Sequence, residues 1–361
     1  MTTQERTQMD LRMAVAEPIM TKGELTMRSL SADYTFRPAT MADVEAATAL
    51  FNACSLDLVG KEQFEAQELK SEWESPTLVL ERDTRVVLTP KGQIIGYVEV
   101  WDNAPHVRLY AWSRVHPDYR EQSIGEVLLE WAEGRARESI AEAPKGTRVS
   151  LLHETLVQDE VSQALLESRG FERVRYFFRM VIEMEEAPPA PRLPAEVSIR
   201  TFDRQKELPA VIKAVQEAFR DHWGFVERSE EESLKQWSHW IDNDPDFDAS
   251  LWFLAEDDGQ IAGMCLCHSK VVEDPEMGWV NTLGVLRPWR RQGLGLAMLH
   301  HAFGEFYRRG KRKVGLGVDA SSLTGATRLY EKAGMQVQRK YANYEKILRA
   351  GEDLSTQSLE G

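Results

Sequence analysis

The chain has 361 residues, of which 42% are hydrophobic, and a formal net charge of −14 at pH 7. The length exceeds that of a usual single domain and predicts two domains, while the acidic balance argues against a nucleic-acid partner, which requires a basic surface. No apolar run is long enough for a transmembrane helix, and no basic-then-apolar pattern at the N-terminus marks the chain for export. A cytoplasmic protein without a membrane partner is therefore expected.

The order of patterns along the chain predicts two similar units. Residues 1–33 form an N-terminal extension, a first unit covers residues 34–186, and a proline-rich linker follows at residues 187–196, where neither a helix nor a central strand can continue. A second unit covers residues 197–350, and residues 351–361 form a polar tail. Each unit alternates strands with helices around a strand meander, which predicts an α/β (α+β) fold with a mixed, mostly antiparallel sheet.

Sequence landmarks of the first unit recur in the second. The four pairs stand in the same order, with offsets between 163 and 170 residues, which indicates an internal duplication. The pairs are Arg37 with Arg200, Gly92-Gln-Ile-Ile-Gly96 with Gly259-Gln-Ile-Ala-Gly263, Arg120 with Arg290, and Gly170 with Gly334.

An aromatic and acidic segment near the start of the second unit is a candidate substrate site. It reads Ala218-Phe-Arg-Asp221-His222-Trp223-Gly-Phe225. Asp221 is suited to hold a cation, and Trp223 offers a cation–π face to an amine, with His222 between them. The same segment is equally consistent with a buried joint between the two units, and the sequence leaves both interpretations open.

Cysteine usage gives no sign of a metal centre. The chain has three cysteines, too few for a disulfide framework. Cys265 and Cys267 alternate on one face of a strand-like run, where two buried thiols are a better interpretation than a metal site. No metal is expected.

The most informative stretch of the second unit runs from Leu283 to Leu299. A short apolar strand ends in a turn that contains Arg290 and Arg291, and Gly293 and Gly295 open an amphipathic helix. Backbone N–H groups, a helix N-terminus and arginines together form a site for an anion. A dinucleotide-binding loop is the nearest alternative. Its closest match, Gly315-Leu-Gly317, lies inside a predicted strand instead of the turn that this motif requires.

A second motif lies about thirty-five residues downstream, at Leu329-Tyr330-Glu-Lys-Ala-Gly334. Together, Arg290-x-x-Gly293-x-Gly295 and this tyrosine helix resemble the GCN5-related N-acetyltransferases, the GNAT family. The tandem arrangement resembles the mycothiol synthase-like group of double-GNAT acetyltransferases. The resemblance implies that the fourth and fifth strands of each unit splay apart to form a cleft for acetyl-CoA, the expected co-substrate.

The resemblance also assigns residues to acetyl-CoA. Main-chain groups at residues 283–285 would hold the acetyl and pantetheine portion, the loop would hold the pyrophosphate, and Ser322 stands where many relatives carry an asparagine. The implied contacts are Leu283, Gly284, Val285, Arg290, Arg291, Gln292, Gly293, Leu294, Gly295, Leu296 and Ser322.

The implied reaction is direct attack of an amine on a thioester within a ternary complex, and it requires an acid and a base. Tyr330, one helical turn before Gly334, is the candidate acid that protonates the leaving thiolate. Glu276, near the start of the fourth strand, is the candidate base and would act through water. Asp319 and His268 are other candidates for the base.

The two units differ at these positions. The first has Ser123 in place of Gly293 and Leu166 in place of Tyr330, so it is interpreted as a degenerate domain and the second as catalytic. The predicted activity is acetyl transfer to a primary amine of a small molecule, by a monomer whose two units form an intramolecular pseudo-dimer. The alternatives are a non-catalytic acyl-CoA sensor or scaffold and an acetyltransferase that acts on a protein or peptide.

Overall fold

A computed structural model describes residues 30–358, so most of the predicted extension and residues 359–361 lie outside the described part. Over that range twelve strands and nine α-helices form. The strands are β1 (Thr35–Arg37), β2 (Thr84–Leu88), β3 (Ile94–Trp101), β4 (Arg108–Val115), β5 (Val149–Leu156), β6 (Glu172–Glu183), β7 (Val197–Thr201), β8 (Trp252–Asp257), β9 (Gln260–His268), β10 (Met277–Val285), β11 (Lys313–Asp319) and β12 (Gln336–Arg349). The helices are α1 (Val44–Val59), α2 (Ala66–Trp73), α3 (Leu80–Asp83), α4 (Ile124–Glu138), α5 (Glu160–Ser168), α6 (Arg204–Phe219), α7 (Glu230–Asn243), α8 (Leu294–Arg308) and α9 (Ala326–Lys332).

The twelve strands form one continuous sheet. Their order is β1-β2-β3-β4-β5-β12-β6-β11-β10-β9-β8-β7. Most neighbours are antiparallel, while β4–β5 and β10–β11 are parallel. The predicted fold class, a mixed and mostly antiparallel sheet with helices in two tandem copies, is confirmed.

The two halves exchange their last strands. The C-terminal strand β12 pairs with β5 of the N-terminal half, and β6 of the N-terminal half pairs with β11 of the C-terminal half. Strands β6 and β12 also pair with each other, with Tyr341 opposite Phe177. These two residues are 164 positions apart, as are Gly170 and Gly334, so equivalent positions of the two copies face each other across a pseudo-two-fold axis.

Because of this exchange, the predicted domain boundary divides the sequence but does not divide the sheet. The linker divides the sequence into two repeats, but the sheet crosses from one half to the other through β12 and β6. The predicted polar tail also contacts both halves over its described residues. The N–H of Arg148 donates to Glu352 O (2.7 Å), and Thr356 exchanges backbone hydrogen bonds with Gly224 and Phe225 (2.7 and 3.0 Å).

Alternating residues of the strands enter two cores in each half. In β9, Cys265 and Cys267 pack in a cluster with α8, while Met264 and Leu266 pack in a cluster with α6. Because side chains alternate across a strand, both faces of the sheet are covered. The two cysteines are buried and free, as expected.

The predicted splay of the fourth and fifth strands is present in both halves. Strands β10 and β11 pair only from Met277 opposite Lys313 to Val280 opposite Leu316, and β4 and β5 also pair over only four positions. The halves differ at the point of divergence. Strand β10 has a β-bulge at Asn281, whereas the register of β4 with β3 is unbroken from Tyr110 to Val115. A bulge re-aims the groups beside it, so only the C-terminal half has an altered strand at the mouth of its cleft.

Candidate active site

The gap between β10 and β11 is a cleft pocket of about 180 Å³. Several residues predicted for the site meet there. The wall includes Leu283 of β10, His222 and Trp223 from the segment after α6, Ser322, and Tyr330 of α9. Phe177 of the exchanged strand β6 closes part of the same pocket, so the N-terminal half contributes to the cleft of the C-terminal half.

Backbone groups of β10 are available to a ligand in this cleft. The N–H of Leu286 donates to Ala262 O in β9 (3.0 Å). Successive N–H groups of a strand point to opposite sides, so those of Leu283 and Val285 face the open side. Gly284 has a packing role, because a Cβ there would lie 2.5 Å from Met264 Sδ and 2.9 Å from Ala218 Cβ.

The loop before α8 has the geometry of an anion site. Arg291 and Gly293 adopt left-handed φ values of 61° and 84°, and Leu294 begins the helix. A Cβ at Gly293 would meet no protein atom within 4 Å, so this side of the loop is open, while a Cβ at Gly295 would lie 3.2 Å from Leu329 of α9. Gln292 is exposed, Leu294 is buried and Leu296 is half-buried. The exposed N-terminus of α8 is suited to hold phosphate.

Arg290 holds the loop to the protein. Its guanidinium donates to Val285 O (2.9 Å), to Ala218 O (3.1 Å) and to the carboxylate of Asp221. Arg287 also pairs with Asp221, and these two arginines, Arg287 first, lower the pKa of Asp221 to about 2. The prediction that Asp221 holds a substrate cation does not fit this geometry, because its oxygens are already paired with loop arginines. The predicted phosphate contact by Arg290 likewise does not fit, because its guanidinium is bonded to protein groups, whereas Arg291, also predicted, is exposed.

Trp223 also differs from its predicted role. The guanidinium groups of Arg108 and Arg175 lie 4.5 and 4.8 Å from its ring centroid. Its Nε1 donates to Gln357 Oε1 (2.8 Å). Trp223 therefore joins the two halves and does not present a free face to an amine, which was the second of the two sequence interpretations. His222 remains on the cleft wall, where burial and then Arg290 lower its pKa.

Tyr330, the predicted acid, lies in the cleft. It is 7% exposed in α9 and lines the cleft pocket, and Gly334, with φ of 92°, follows the end of this helix. Burial and the nearby Cys265 raise the pKa of Tyr330 above its ordinary value. The phenol is therefore protonated at neutral pH, as a proton donor must be.

Glu276 does not reach this site. Its side chain is 77% exposed, its nearest cation is Lys311 at 3.9 Å, and it precedes β10 at the end where β10 and β11 are still paired. Of the two other candidates for the base, Asp319 pairs with Arg175 (3.1 Å) on the cleft wall. His268 lines a separate cavity, described next, with its Nδ1 3.4 Å from Asp244 Oδ2.

A larger cavity of about 520 Å³ lies beside the cleft and is walled by both halves. The bulge residue Asn281 lines both this cavity and the cleft pocket. We call the larger cavity the acceptor cavity. Its wall includes Glu68, Glu72 and Trp101 of the N-terminal half and Gln236, Trp237, Trp240, Asp244, Asp246, Phe247, Trp252, His268, Lys270, Asn281 and Thr282 of the C-terminal half. Trp237 and Trp240 of α7 belong to the acidic, tryptophan-rich sequence that follows the candidate substrate segment, whereas the N-terminal wall carries no sequence signal.

The equivalent cleft of the N-terminal half is lined by different side chains. The guanidinium of Arg114 lies among its lining residues, 3.9 Å over the ring of Trp112, and donates to Ser113 O (2.9 Å). Leu166, at the position of Tyr330, is buried in the core. Ser123 keeps the left-handed conformation of Gly293, with φ of 56°, so the loop shape persists without the glycine.

A family model for acetyltransferases (GNAT) matches residues 45–171 and 210–335, one copy in each half. The chain belongs to the GNAT acetyltransferase family. Its relatives include mycothiol acetyltransferases from Streptomyces griseus, 31% identical over 69% of this chain and 75% of that protein, and from Salinispora arenicola, 30% identical over 71% and 78%. This tandem GNAT protein is therefore an N-acetyltransferase, and enzymes of the family generally use acetyl-CoA.

Solved structures agree with this assignment of the tandem GNAT fold. A GCN5-related N-acetyltransferase from Sphaerobacter thermophilus matches with a TM-score of 0.74 and 34% identity, over 91% of this chain and all of that chain. A tandem GNAT protein from the clavulanic acid biosynthesis pathway matches with a TM-score of 0.64 and 17% identity over 88% of this chain and all of that chain, a likeness of fold alone.

Two further findings concern the described residues. Between residues 30 and 358, no helix combines the length and the apolar character needed to cross a bilayer. Within that same range, no cluster of three or more His, Cys, Asp or Glu side chains is arranged to hold a metal ion.

Proposed function

We propose that the C-terminal half is the active centre and transfers an acetyl group from acetyl-CoA to a primary amine of a small molecule held in the acceptor cavity. One observation carries the proposal: Asn281 lines both the cleft pocket and the acceptor cavity. An amine in the cavity would thus approach a thioester in the cleft. The cavity volume of about 520 Å³ suits a metabolite, and its walls from both halves favour this over an extended peptide.

The residues of the cleft fit acetyl-CoA as co-substrate. The open N–H groups of Leu283 and Val285 would bind its pantetheine and carbonyl oxygens, and the exposed loop at Arg291 to Gly293 would bind its pyrophosphate. Bound acetyl-CoA supplies an activated thioester and a thiolate leaving group. Ser322, on the same wall, would border the pantetheine.

Two side chains would move protons. His268, oriented by Asp244, would accept a proton from the attacking amine in the acceptor cavity, and Tyr330 would donate one to the departing thiolate in the cleft. His268 lines the acceptor cavity, and Tyr330 lines the cleft pocket. Because mycothiol acetyltransferases are relatives, the amine of a cysteinyl sugar is one acceptor to test.

The test is a thiol-release assay with acetyl-CoA and a panel of amines. Gly293→Glu places a carboxylate at the phosphate loop, and Ser123→Glu makes the matched change in the N-terminal half. We expect turnover in the wild type and in Ser123→Glu, and its loss in Gly293→Glu. Loss of turnover in Ser123→Glu alone would contradict the proposal, as would acetyl-CoA binding without turnover of any amine.

A further inference from the structure

The wall of the acceptor cavity contains carboxyl groups that lack an ion-pair partner. In the C-terminal half, Asp246 pairs with Lys270 (2.9 Å), and Asp244 lies 3.4 Å from His268. Glu68 and Glu72 of α2 have no ion-pair partner within residues 30–358. They are four residues apart in one helix, so their carboxylates lie on the same face. This pair comes from the N-terminal half alone.

A third carboxylate stands near them. Glu99 in β3 is buried and accepts hydrogen bonds from Tyr97 Oη (2.7 Å) and Trp101 Nε1 (2.8 Å). Burial raises the pKa of Glu99 and that of Glu68, the latter to about 7. Burial, followed by the charges of Glu99 and Glu68, raises the pKa of Glu72 to about 8. Like charges this close are unfavourable unless protons or a cation neutralise them.

Aromatic rings face the same space. Trp101 comes from the N-terminal half, and Trp237, Trp240 and Phe247 come from the C-terminal half. Trp240 is 45% exposed, so part of its ring is accessible to a ligand. Carboxylates and aromatic faces together are the groups that bind organic ammonium ions.

Two donors in the wall have no acceptor. Gln236 is 7% exposed, and its Oε1 accepts from Arg228 (3.3 Å), but its Nε2 donates to no residue in the described range. The Nε1 of Trp252 is buried and equally without a partner there. Buried donors are normally satisfied. Trp252 and Gln236 both line the cavity, so a ligand that carries acceptor atoms would satisfy these donors.

We infer that Glu68 and Glu72 bind a second ammonium group of the acceptor, so that the substrate is an organic dication whose reacting amine lies near Asn281. The inference rests on the proposed function of the C-terminal half. The two ends of the cavity belong to different halves, with α2 on one wall and the β10 bulge on another. The catalytically degenerate half would thus select the substrate.

The experiment compares matched amines. 1,6-Diaminohexane and hexylamine differ in one ammonium group, and a 2,6-diaminoglucose and glucosamine form a second pair in which the acceptor atoms of a sugar are added. We expect kcat/KM for each diamine to exceed that of its monoamine at least tenfold. Glu72→Gln and Glu68→Gln should reduce this ratio below about threefold, mainly through KM. Glu74→Gln, at the C-cap of the same helix and outside the cavity wall, should leave the ratio unchanged.

Direct binding separates this inference from the proposed function. Calorimetry of 1,6-diaminohexane and hexylamine into the protein loaded with CoA needs no turnover. Tighter binding of the diamine that Glu72→Gln abolishes supports the inference, even if no amine is acetylated and the proposed function fails. Equal affinity for diamine and monoamine, or a preference that survives both substitutions, overturns the inference and leaves the proposed function standing. A sugar diamine preferred over the linear diamine identifies the class of dication and supports it.

Discussion

Asp221 and Arg290 form an ion pair that ties the end of α6 to the phosphate loop. The N-terminal half contains the same relationship between Asp57 and Arg120, at 2.7 Å. The pair therefore belongs to the duplicated framework, and in the C-terminal half it positions the loop that follows β10. Arg290 also bonds to Val285 O, so the pair connects the loop to the strand whose N–H groups face the cleft.

Asp221→Asn should weaken acetyl-CoA binding. Removing the carboxylate leaves Arg287 and Arg290 without their common partner, and we expect a loss of roughly 1–3 kcal/mol in stability and about a tenfold rise in Kd for acetyl-CoA. Because the pKa of Asp221 is lowered to about 2, its contribution is present above about pH 4 and is lost as the pH falls towards 2. Thermal unfolding and calorimetry measure both effects. Asp57→Asn is the control, and an equal rise in Kd in that variant would contradict this account.

Tyr330→Phe should impair the chemical step. The ring and its packing stay, but the proton that would go to the thiolate is removed, so kcat should fall roughly ten- to a thousandfold while KM for acetyl-CoA changes little. Steady-state kinetics measure this. Tyr307→Phe, on α8 and outside the cleft lining, serves as control. An unchanged kcat in Tyr330→Phe would remove this phenol from the mechanism.

The proposed base can be tested by comparing His268 with Glu276, two of the three candidates that the sequence left open. His268→Asn should lower kcat by roughly ten- to a thousandfold, because its imidazole lies in the acceptor cavity beside Asp244. Glu276→Gln should leave kcat within about twofold, because Glu276 is exposed outside both pockets. Measured with the best amine of the panel, the opposite order would restore Glu276 as the base.

Glu72 should destabilise the folded chain increasingly as the pH rises. The pKa of its carboxyl group is raised to about 8 in the folded chain, compared with about 4.3 in the unfolded chain. Below about pH 4.3 the group is protonated in both states and does not lower the free energy of unfolding. As the pH rises from there towards 8, the loss of stability grows. After allowance for the carboxylate surface that the cavity leaves accessible, we expect Glu72→Gln to gain about 1 kcal/mol at pH 8. Little gain is expected at pH 4.

Unfolding curves for Glu72→Gln at these two pH values check this sign. The other charged or titratable groups near Glu72 and Glu68 are unchanged in this variant, namely Glu65, Glu99, Asp244, Asp246, His268 and Lys270. Glu74→Gln controls for the loss of one surface charge. A gain that is larger at pH 4 than at pH 8 would show that Glu72 is stabilised as a carboxylate in the empty cavity.

The duplication and the phosphate loop were predictable because both are local. The spacing of Arg290, Gly293 and Gly295 specifies one turn, and the constant offset to Arg120 reveals the second copy. The strand exchange was not predictable, because β6 and β12 have similar patterns and their choice of partner is made in three dimensions. The pairing of Asp221 likewise depends on how the end of α6 meets the loop.

The acceptor cavity illustrates the same limit. Its walls come from α2 and β3 of one half and α7, β9 and β10 of the other, and residues so distant in sequence share no motif. In the sequence, the four-residue spacing of Glu68 and Glu72 indicates an exposed helix face, which is the usual interpretation of this pattern. Only the packing of the two halves turns this face into the wall of a cavity.

The proposed function requires that only one of the two copies, the C-terminal half, is the active centre. Calorimetric titration of acetyl-CoA into the wild type, Gly293→Glu and Ser123→Glu tests it most directly. We expect one acetyl-CoA binding site per chain in the wild type, its loss in Gly293→Glu, and its retention in Ser123→Glu. Two sites in the wild type, or one site that only Ser123→Glu abolishes, would contradict it.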